Sequence, residues 1–388
     1  MRIKLATLLF AVGFVTVATA PRAVSIISAQ SRASQSADIL WDTFGVPHVF
    51  GADLDSTLYA FGWAQMQSHG DLILRLYGQA RGRGAEYWGQ DFADADRWVR
   101  TMGVPARASR WAKEQNAAMR APLAAFVDGI NAYANQHGDR LSGAMKVVLP
   151  VTADDVMAHI QRVIHFTFLA NPQLIDAQAK RWGDAGSNAW AVAPQRSASG
   201  HALLLANPHL PWSDLFTWYE AELTMPGTMV YGAALVGTPF PGIAFNNRLG
   251  WTHTNNTIDG ADLFELQLSG DGYRWNDGVR AFDTRTEVMK IRQPDGSMKE
   301  ETLTIRESIH GPVVKALPGK ALALRVAGID QPDIMNQYWS MLRSKSFAEF
   351  ENAERPLQMP FFTVMYADVD GHIMHLFGGR TPVRPAGD

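Results

Sequence analysis

The spacing of hydrophobic and polar positions changes along the chain and divides it into two parts. From Asp55 to Ala80 apolar side chains recur every three or four residues, as on one face of a helix, and Arg100–His137 and Asp154–Ala170 show the same spacing. Beyond Ser187 the pattern alternates in "SNAWAVAP" and becomes continuously apolar in "HALLLANP", which is typical of strands, the second of them buried. The sequence predicts a mainly helical first part and a strand-rich second part.

Turn signals refine this division. The triplets GDG, NDG and PDG separate short apolar segments between residues 263 and 314, which favours antiparallel hairpins. Gln337–Ala353 has helical spacing, and the last apolar segment predicts a hairpin around Asp370–Gly371. The polar stretch Asn171–Gly186 has no regular spacing, so we expect an exposed linker between the two parts. Thr152 or Asp154 can cap the helix that precedes this linker.

The first twenty residues have the pattern of a secretory signal peptide. Arg2 and Lys4 precede an apolar run that is too short and wrongly flanked for a membrane span. We assign residues 1–33 to this leader and predict export to the periplasm or the medium, with no membrane span in the mature protein. An uncleaved N-terminal anchor is the alternative. Small residues offer several cleavage points: Ala18-Thr19-Ala20, Ala29 and Ala33.

Composition narrows the function classes. The net charge is −3, so no basic field for nucleic acid is expected. The chain has no cysteine, which excludes disulfides, thiolate nucleophiles and cysteine-based metal sites. With 47% hydrophobic residues and 12 Trp, 19 Phe and 9 Tyr, it can build a large core and line an apolar pocket.

Ser187, in "DAGSNAWAVAP", is the candidate nucleophile. A serine hydroxyl needs a base, and the chain has no G-x-S-x-G elbow; a Ser-His-Asp triad stays open, because eleven histidines are available. If the Gly186–Ser187 bond is cut, Ser187 gains an α-amine with a pKa of about 8 that can serve as its own base. Gly186 suits such a cut because its carbonyl is unhindered. The alternative is an ordinary serine at the start of a strand.

Three segments carry a resemblance to a known family. "GSNAWAVAP", "LLLANPHLPW" and "GWTHTNNTIDGADLFEL" resemble the penicillin acylase family of N-terminal nucleophile (Ntn) hydrolases. The chain looks most similar to the branch with acyl-homoserine-lactone acylases, aculeacin acylase and glutaryl-cephalosporin acylases. The resemblance begins at "WDTFGVPHVFGADLDSTLYAF" and continues to "YADVDGHIMHLFGGRTPVRP", nearly everything after the leader.

The resemblance implies a fold and a maturation. The fold is α+β, a four-layer αββα sandwich with a mainly helical α-subunit part. The precursor cuts itself into α and β chains that stay together as a heterodimer. On this chain the α-subunit region is 34–176, the removed spacer 177–186, and the N-terminal part of the β subunit 187–388. The reaction is hydrolysis of the amide between an acyl group and an amine in a small molecule, with no cofactor for catalysis.

The resemblance also assigns site residues. It makes Ser187 the nucleophile, with autocleavage between Gly186 and Ser187. It makes His209 an assistant in maturation and catalysis, and gives the backbone N–H of Asn255 half of the oxyanion hole. Without the resemblance, His209 would be interpreted as a loop histidine and Asn255 as a turn residue. We also name four candidate pocket residues, which could equally be plain core: Trp212, Phe216, Trp218 and Phe240.

Asp259 and Asp262, with the carbonyl of Ala261, match positions that bind a structural calcium in some family members. Two carboxylates and a carbonyl are only part of the six to eight oxygens that calcium requires, and a solvated acidic turn is the alternative. The family's β chain is also longer than Ser187–Asp388, and its second oxyanion donor, an asparagine side chain, has no counterpart here. We therefore expect the sequence to be a fragment or the product of a truncated gene.

Two other functions stay open at this stage. A non-catalytic binding protein would keep the acyl pocket without the chemistry, and a conventional serine hydrolase would use a histidine and remain uncut. Residue types do not choose between acyl-homoserine lactones, β-lactam side chains and lipopeptides as substrates.

Overall fold

The structure is a computed structural model that describes residues 2–4, 37–170, 172 and 186–384. The predicted leader 1–33 lies outside these residues, apart from the short strand β1 (Arg2–Lys4). Most of the predicted spacer 177–186 also lies outside them, and Gly186 is its one described residue.

The first part of the chain is mainly helical, as the spacing of apolar residues predicts. Two strands, β2 (Ala37–Trp41) and β3 (Pro47–Gly51), precede the helices. The helices are α1 (Leu54–Ala80), α2 (Gly84–Trp88), α3 (Ala93–Thr101), α4 (Val104–Glu114), α5 (Ala117–Gln136) and α6 (Ala153–Val163). A π-helical segment, Ile164–Leu169, continues α6 directly.

Two predicted helices are interrupted. The predicted helix Arg100–His137 is in fact the end of α3 followed by α4 and α5. Gly103, with a positive φ of 68°, separates α3 from α4. Asn116 starts α5 as its N-cap, because its side chain accepts a 3.0 Å bond from the Met119 N–H. The predicted helix Gln337–Ala353 is two helices, α7 (Ile334–Arg343) and α8 (Phe347–Glu354). Ser346 accepts a bond from the Glu349 N–H and starts α8 as its N-cap.

The helices pack on each other through small residues. A Cβ added to Gly62 of α1 would lie 2.3 Å from the carbonyl oxygen of Phe126, and one added to Gly129 of α5 would lie 1.9 Å from that of Tyr59. Both glycines therefore let the backbones of α1 and α5 approach more closely than side chains would allow. The buried cluster that results continues into the sheet below the helices.

The larger sheet has nine strands in the order β1-β2-β3-β6-β7-β8-β9-β17-β18. β3 and β6 are parallel and the other pairs are antiparallel. The strands of the second part are β6 (Trp218–Met225), β7 (Thr228–Leu235), β8 (Ile243–Asn246), β9 (Leu249–Thr254), β17 (Phe361–Asp368) and β18 (Ile373–Gly379). The turn at Asp370–Gly371 joins β17 to β18, which confirms the predicted hairpin.

The two faces of this sheet are covered differently. On one face Tyr219 of β6 lies against Phe61 of α1, with ring centroids 6.0 Å apart, and Trp251 of β9 lies against Phe350 of α8. On the other face lies the hairpin of β4 (Ser187–Val192) and β5 (Leu203–Pro208). Its Leu204 side chain approaches Gly250 of β9. The layer order is helices, sheet, hairpin, which confirms the α+β class.

The outer side of the hairpin is open. Trp190, Leu203 and Leu205 are exposed by 54%, 50% and 46% of their surface. The prediction of "HALLLANP" as a buried strand is therefore wrong for the described residues, because no described element covers that side of β5. An apolar face of this kind is typical of a surface that packs against further polypeptide.

A second sheet of seven strands has the order β12-β11-β10-β16-β15-β14-β13. The GDG, NDG and PDG turns connect β10 to β11, β11 to β12 and β13 to β14, as predicted. The strands are β10 (Ala261–Ser269), β11 (Gly272–Trp275), β12 (Gly278–Ala281), β13 (Asp283–Arg292), β14 (Met298–Ser308), β15 (Gly311–Leu317) and β16 (Lys320–Val326). Arg97 of α3 holds this sheet to the helices through two 2.8 Å bonds to Glu301.

Candidate active site

The candidate site lies where several strand ends meet. Because neighbouring strands are antiparallel, the starts of β6, β8 and β17 lie at the same edge of the sheet as the ends of β7 and β9. The open end of the hairpin, where Ser187 pairs with Pro208, contributes to the same edge. The topology thus brings residues from distant parts of the sequence to one place.

A cavity of about 60 Å³ lies at this edge. Its lining is almost entirely apolar, which is typical of a site for a hydrocarbon group. It contains no charged carboxylate, lysine or arginine among the described residues. The lining residues are Ile160, Val163, Ile164, Phe168, Ser187, Pro208, Leu210, Trp218, Leu235, Thr238, Phe240, Gly242, Ile243, His253, Asn255, Tyr338, Met359 and Phe362.

Ser187 is the first residue of β4 and lines the cavity. Its hydroxyl donates a 2.8 Å hydrogen bond to the carbonyl oxygen of Gly186, the residue before it. The backbone N–H of His209 donates a second bond of 3.0 Å to the same oxygen. Two donors therefore polarise the Gly186 carbonyl, and the Ser187 hydroxyl lies beside it.

His209 contacts this group through its backbone. The His209 ring is exposed and lies 3.4 Å from the side-chain nitrogen of Asn188, measured from Nε2. Its chain neighbours Pro208 and Leu210 line the cavity. The structure thus brings His209 to the candidate nucleophile as a backbone donor to Gly186, and the His209 side chain contacts Asn188.

Asn255 is also part of the cavity lining. It follows β9 directly, and the pairing of β9 with β17 ends one residue earlier, at Thr254 and Thr363. The register of β9 with β17 therefore leaves the N–H of Asn255 outside the ladder. Asn255 and Ser187 line the same cavity.

The four candidate pocket residues separate into two pairs. Trp218 and Phe240 line the cavity. Trp212 does not, because it lies in the loop after β5 with 98% of its surface exposed. Phe216 is buried beside the cavity wall, where its ring packs edge-on against Phe168 at 5.7 Å. Phe216 is therefore a core residue, which was the alternative to a place in the pocket.

Several lining residues were not singled out in the sequence. The π-helical segment Ile164–Leu169 contributes Ile164 and Phe168, and such segments are frequent at functional sites but leave no pattern in a sequence. His253 and Tyr338 form a hydrogen-bonded pair of 3.1 Å between His253 Nε2 and the Tyr338 hydroxyl. His253 lies in the motif "WTHTNNT" and was the one member that sequence reasoning could have found.

Aromatic stacking fixes this pair. The Tyr338 ring is stacked on Phe240 at 4.3 Å, and the His253 ring is stacked on Phe362 at 5.1 Å. Phe362 has a positive φ of 123°, a strained conformation for a bulky residue. Strain of this kind concentrates at binding sites, where the surroundings hold it in place. Burial lowers the pKa of His253 to about 4, so the ring is neutral near pH 7.

At the predicted calcium position, the two acidic residues pair with an arginine side chain. The Arg384 guanidinium donates bonds of 2.7 and 3.0 Å to one oxygen of Asp262 and a 3.0 Å bond to the Asp259 carbonyl, and it lies 3.1 Å from the Asp259 carboxylate. Ala261 is the first residue of β10 and pairs with Val326. Among the described residues, no group of three His, Asp or Glu is arranged to hold a metal. These residues do not fit calcium, because a guanidinium already neutralises both carboxylates.

The fold and the site define a class of protein. An α+β chain places a strand-initial serine in the lining of an apolar cavity, with a polarised glycine carbonyl on its N-terminal side. Residues 36–388 match the profile of the penicillin amidase family. The chain therefore belongs to that family, as the resemblance in its sequence implies.

Individual relatives agree with this assignment. The chain is 29% identical to the acyl-homoserine lactone acylase PvdQ of Pseudomonas savastanoi pv. phaseolicola, over 91% of this chain and 52% of the relative. It is 28% identical to PvdQ of Pseudomonas putida (91% and 52%) and 20% identical to the acyl-homoserine lactone acylase QuiP of Pseudomonas fluorescens (92% and 51%). The chain thus spans about half the length of the curated relatives it matches.

Among solved structures, the chain is similar to a thermostable penicillin G acylase from Alcaligenes faecalis. The two are 22% identical, with a TM-score of 0.46, over 52% of this chain and 36% of that one. No helix among the described residues is long and apolar enough to cross a membrane.

Proposed function

We propose that this chain belongs to a self-processing acylase that hydrolyses the amide between an acyl chain and an amine, with Ser187 as an N-terminal nucleophile. The observation that carries the proposal is the pair of hydrogen bonds that the Ser187 hydroxyl and the His209 N–H donate to the Gly186 carbonyl oxygen. Membership of the penicillin amidase family supports it. So do relatives named as acyl-homoserine lactone acylases.

Self-cleavage follows from this geometry in two steps. The Ser187 oxygen attacks the Gly186 carbonyl carbon, and the His209 N–H stabilises the charge that develops on the carbonyl oxygen. The departing nitrogen takes up the proton that the Ser187 hydroxyl loses, and the C–N bond breaks, which leaves Gly186 as an ester on the Ser187 oxygen and a free α-amine on Ser187. Water then hydrolyses the ester and releases a Gly186 carboxylate. A Cβ added to Gly186 would meet no atom of the described residues within 4 Å, so that side of the Gly186 backbone is uncrowded by the described part of the chain.

The test of self-cleavage is the mass of the chains made from the native gene. We expect two chains from the wild type, one of which begins at Ser187, and a single uncut chain from Ser187→Ala. Ser197→Ala is the matched control, because Ser197 is only half-buried and its hydroxyl bonds to Ser199 within its local turn. Maturation of Ser187→Ala at the same bond would refute the proposal, since no hydroxyl would be present to attack.

The amide-hydrolysis step uses the same residues on a substrate. The acyl chain enters the apolar cavity, and the Ser187 oxygen attacks its carbonyl while the α-amine accepts the proton. The N–H of Asn255 is our proposed donor to the oxyanion, as the family resemblance implies. The amine leaves with a proton, and water then releases the acid from the acyl-enzyme. A second donor to the oxyanion is not assigned within this chain.

Acyl amides test this reaction. Purified protein from the native gene is incubated with N-acyl-homoserine lactones, and the released amine is measured. Hydrolysis that is lost in Ser187→Ala supports the proposal. Binding of the amides without turnover would favour the non-catalytic binding protein, and turnover by an uncut chain that depends on a histidine would favour a conventional serine hydrolase.

We also propose export and a heterodimer of the two processed chains. The N-terminal pattern of basic residues followed by an apolar run supports export. The packing of α1 and α8 on the same nine-stranded sheet that carries the hairpin supports a stable pair of chains after the cut, because both sides of the cut share one buried cluster.

A further inference from the structure

The cavity wall includes the connection between β7 and β8, residues 236–242, which we call the wall segment. It contributes Thr238, Phe240 and Gly242 to the cavity lining. Residues 236–238 are buried and lie beyond the end of β7, so the ladder of the sheet does not supply partners for their carbonyl oxygens. Buried backbone groups are nearly always paired in proteins, and the partners here come from the helices.

Gln65 of α1 bonds to the wall segment with both ends of its side-chain amide. Its Nε2 donates a 3.0 Å bond to the Thr238 carbonyl oxygen, and its Oε1 accepts a 2.8 Å bond from the Gly237 N–H. The Gln65 side chain is fully buried. One planar group thus fixes two consecutive residues, and its loss would leave a donor and an acceptor without these partners in the interior.

Tyr77 and His159 pair with the two carbonyls that precede Thr238. The Tyr77 hydroxyl donates a 2.7 Å bond to the Gly237 carbonyl, and His159 Nε2 lies 3.0 Å from the Val236 carbonyl oxygen. Burial lowers the pKa of His159 to about 3, so the ring is neutral near pH 7 and its Nε2–H donates. Gly237 has a φ of 86°, and a Cβ there would lie 3.1 Å from the Tyr77 ring and 3.2 Å from the His159 ring. Glycine at this position therefore lets both rings approach the segment.

These bonds cross the proposed cut before Ser187, because the three side chains lie in the region 34–176 and the wall segment lies in the region 187–388. We propose that Gln65, supported by Tyr77 and His159, is a positioning residue that fixes the wall segment and so maintains the shape of the substrate cavity from the helical chain. This inference rests on the proposed function, because it assigns the helical chain a role in the same site.

Gln115 offers a comparison that separates positioning from general stability. It is also fully buried, and its Nε2 donates a 2.6 Å bond to the Pro332 carbonyl, which likewise crosses the proposed cut. Pro332 is not one of the described residues that line the cavity. Gln65→Met and Gln115→Met each replace a buried amide by an apolar side chain of similar size, but only the first removes bonds to the wall segment.

Hydrogen exchange followed by mass spectrometry tests the position of the wall segment without any substrate. In Gln65→Met we expect the amides of 236–242 to exchange about five- to thirtyfold faster than in the wild type, the effect of one to two net hydrogen bonds. In Gln115→Met we expect the wild-type rate for this segment. A wild-type rate in Gln65→Met, or the same increase in both variants, would overturn the inference.

Ligand binding tests the effect on the cavity. The probe is 2-undecanone, a neutral apolar ketone, and Trp218 in the lining reports its binding by fluorescence. We expect the dissociation constant to rise about three- to tenfold in Gln65→Met, because the apparent affinity falls with the fraction of molecules that keep the wall in place. A dissociation constant equal to that of the wild type would overturn the inference.

Kinetics distinguish positioning from catalysis. With N-decanoyl-homoserine lactone as substrate, we expect KM to rise by the same factor in Gln65→Met, while kcat stays within about twofold of the wild type. The reason is that Gln65 bonds to the wall segment and not to Ser187 or Asn255. A lower kcat with an unchanged KM would contradict a positioning role.

Two milder variants keep the test decisive if Gln65→Met does not fold. In Gln65→Glu at pH 5, burial keeps the new carboxyl group protonated, so it can make both bonds, and we expect the wild-type affinity for the ketone. Tyr77→Phe keeps the ring and removes one bond, so we expect the dissociation constant to rise about two- to threefold. Tyr273→Phe is its matched control, because this buried hydroxyl bonds to the Ile309 N–H in the seven-stranded sheet.

The outcomes separate this inference from the proposed function. Absence of amide hydrolysis by the wild type would refute the proposed function, and hydrogen exchange and ketone binding would still decide the role of Gln65. Ketone binding that is unchanged in Tyr77→Phe, or lowered equally in Tyr273→Phe, would refute the positioning role even in an active enzyme.

Discussion

Glu354 of α8 makes the stability of the fold depend on pH. The side chain is 6% exposed, and one of its oxygens accepts a 3.0 Å bond from Gln337 while the other has no partner among the described residues. Burial raises the pKa of Glu354 from 4.5 to about 7, against the opposing effect of the Gln337 bond. The carboxyl group is therefore mostly neutral below pH 7 in the folded protein and ionises much earlier in the unfolded chain.

The sign and size of the effect follow from this difference. A raised pKa in the fold gives full stability below pH 4.5, and stability is lost as the pH rises through about 7. A shift of this size costs about 3 kcal/mol at high pH, and most of the loss falls between pH 5 and pH 7. Glu354→Gln removes the titration, so we expect its stability to decline by about 2–3 kcal/mol less than the wild type between pH 5 and pH 8.

Urea unfolding followed by tryptophan fluorescence at pH 5 and pH 8 measures this difference. Glu351→Gln is the matched control in the same helix, because the Glu351 side chain is 47% exposed and pairs with Arg355 at the surface. We expect the control to follow the wild type within about 0.5 kcal/mol. If Glu354→Gln and the wild type lose the same free energy of unfolding from pH 5 to pH 8, burial does not raise the pKa of Glu354.

Three further outcomes test other parts of the structure. Arg384→Gln is expected to lower stability by about 1 kcal/mol, because the pair with Asp262 is partly exposed, and a chelator is expected to leave the melting temperature of the wild type unchanged. A loss of several degrees on chelation would show a metal instead. Asp155→Ala is expected to lower the free energy of unfolding in urea by about 3–5 kcal/mol, since Asp155 is 3% exposed and the substitution removes the carboxylate that pairs with Arg81. Phe362→Leu is expected to weaken binding of acyl chains about two- to fivefold, because Phe362 lines the cavity, and unchanged binding in a tryptophan-fluorescence titration would remove Phe362 from the site.

The local parts of the fold could be predicted from the sequence, because their signals are local. The start of α6 at the Thr152 cap and the hairpin turns at GDG, NDG and PDG all lie within a few residues of the elements they define. The breaks at Gly103 and Ser346 were missed, because helical spacing continues across them while the capping and φ angle interrupt the helix.

The candidate site could be predicted only in part. Ser187 and Asn255, which the family resemblance names, line one cavity together with Trp218 and Phe240, two of the four candidate pocket residues. Tyr338 reaches the cavity from α7 and pairs with a histidine 85 residues away in sequence. That contact depends on which strand ends lie at the same edge of the sheet. The sheet topology decides this, and the spacing of residues in the sequence does not indicate it.

The central claim is that Ser187, with a free α-amine, attacks an acyl carbonyl. The most direct measurement is peptide mass mapping after the protein made from the native gene reacts with the p-nitrophenyl ester of a fatty acid and is quenched in acid. We expect a peptide that begins at Ser187 and carries one acyl group on its side chain. An acyl group on another residue, or an unmodified Ser187 still joined to Gly186, would refute Ser187 as an N-terminal nucleophile.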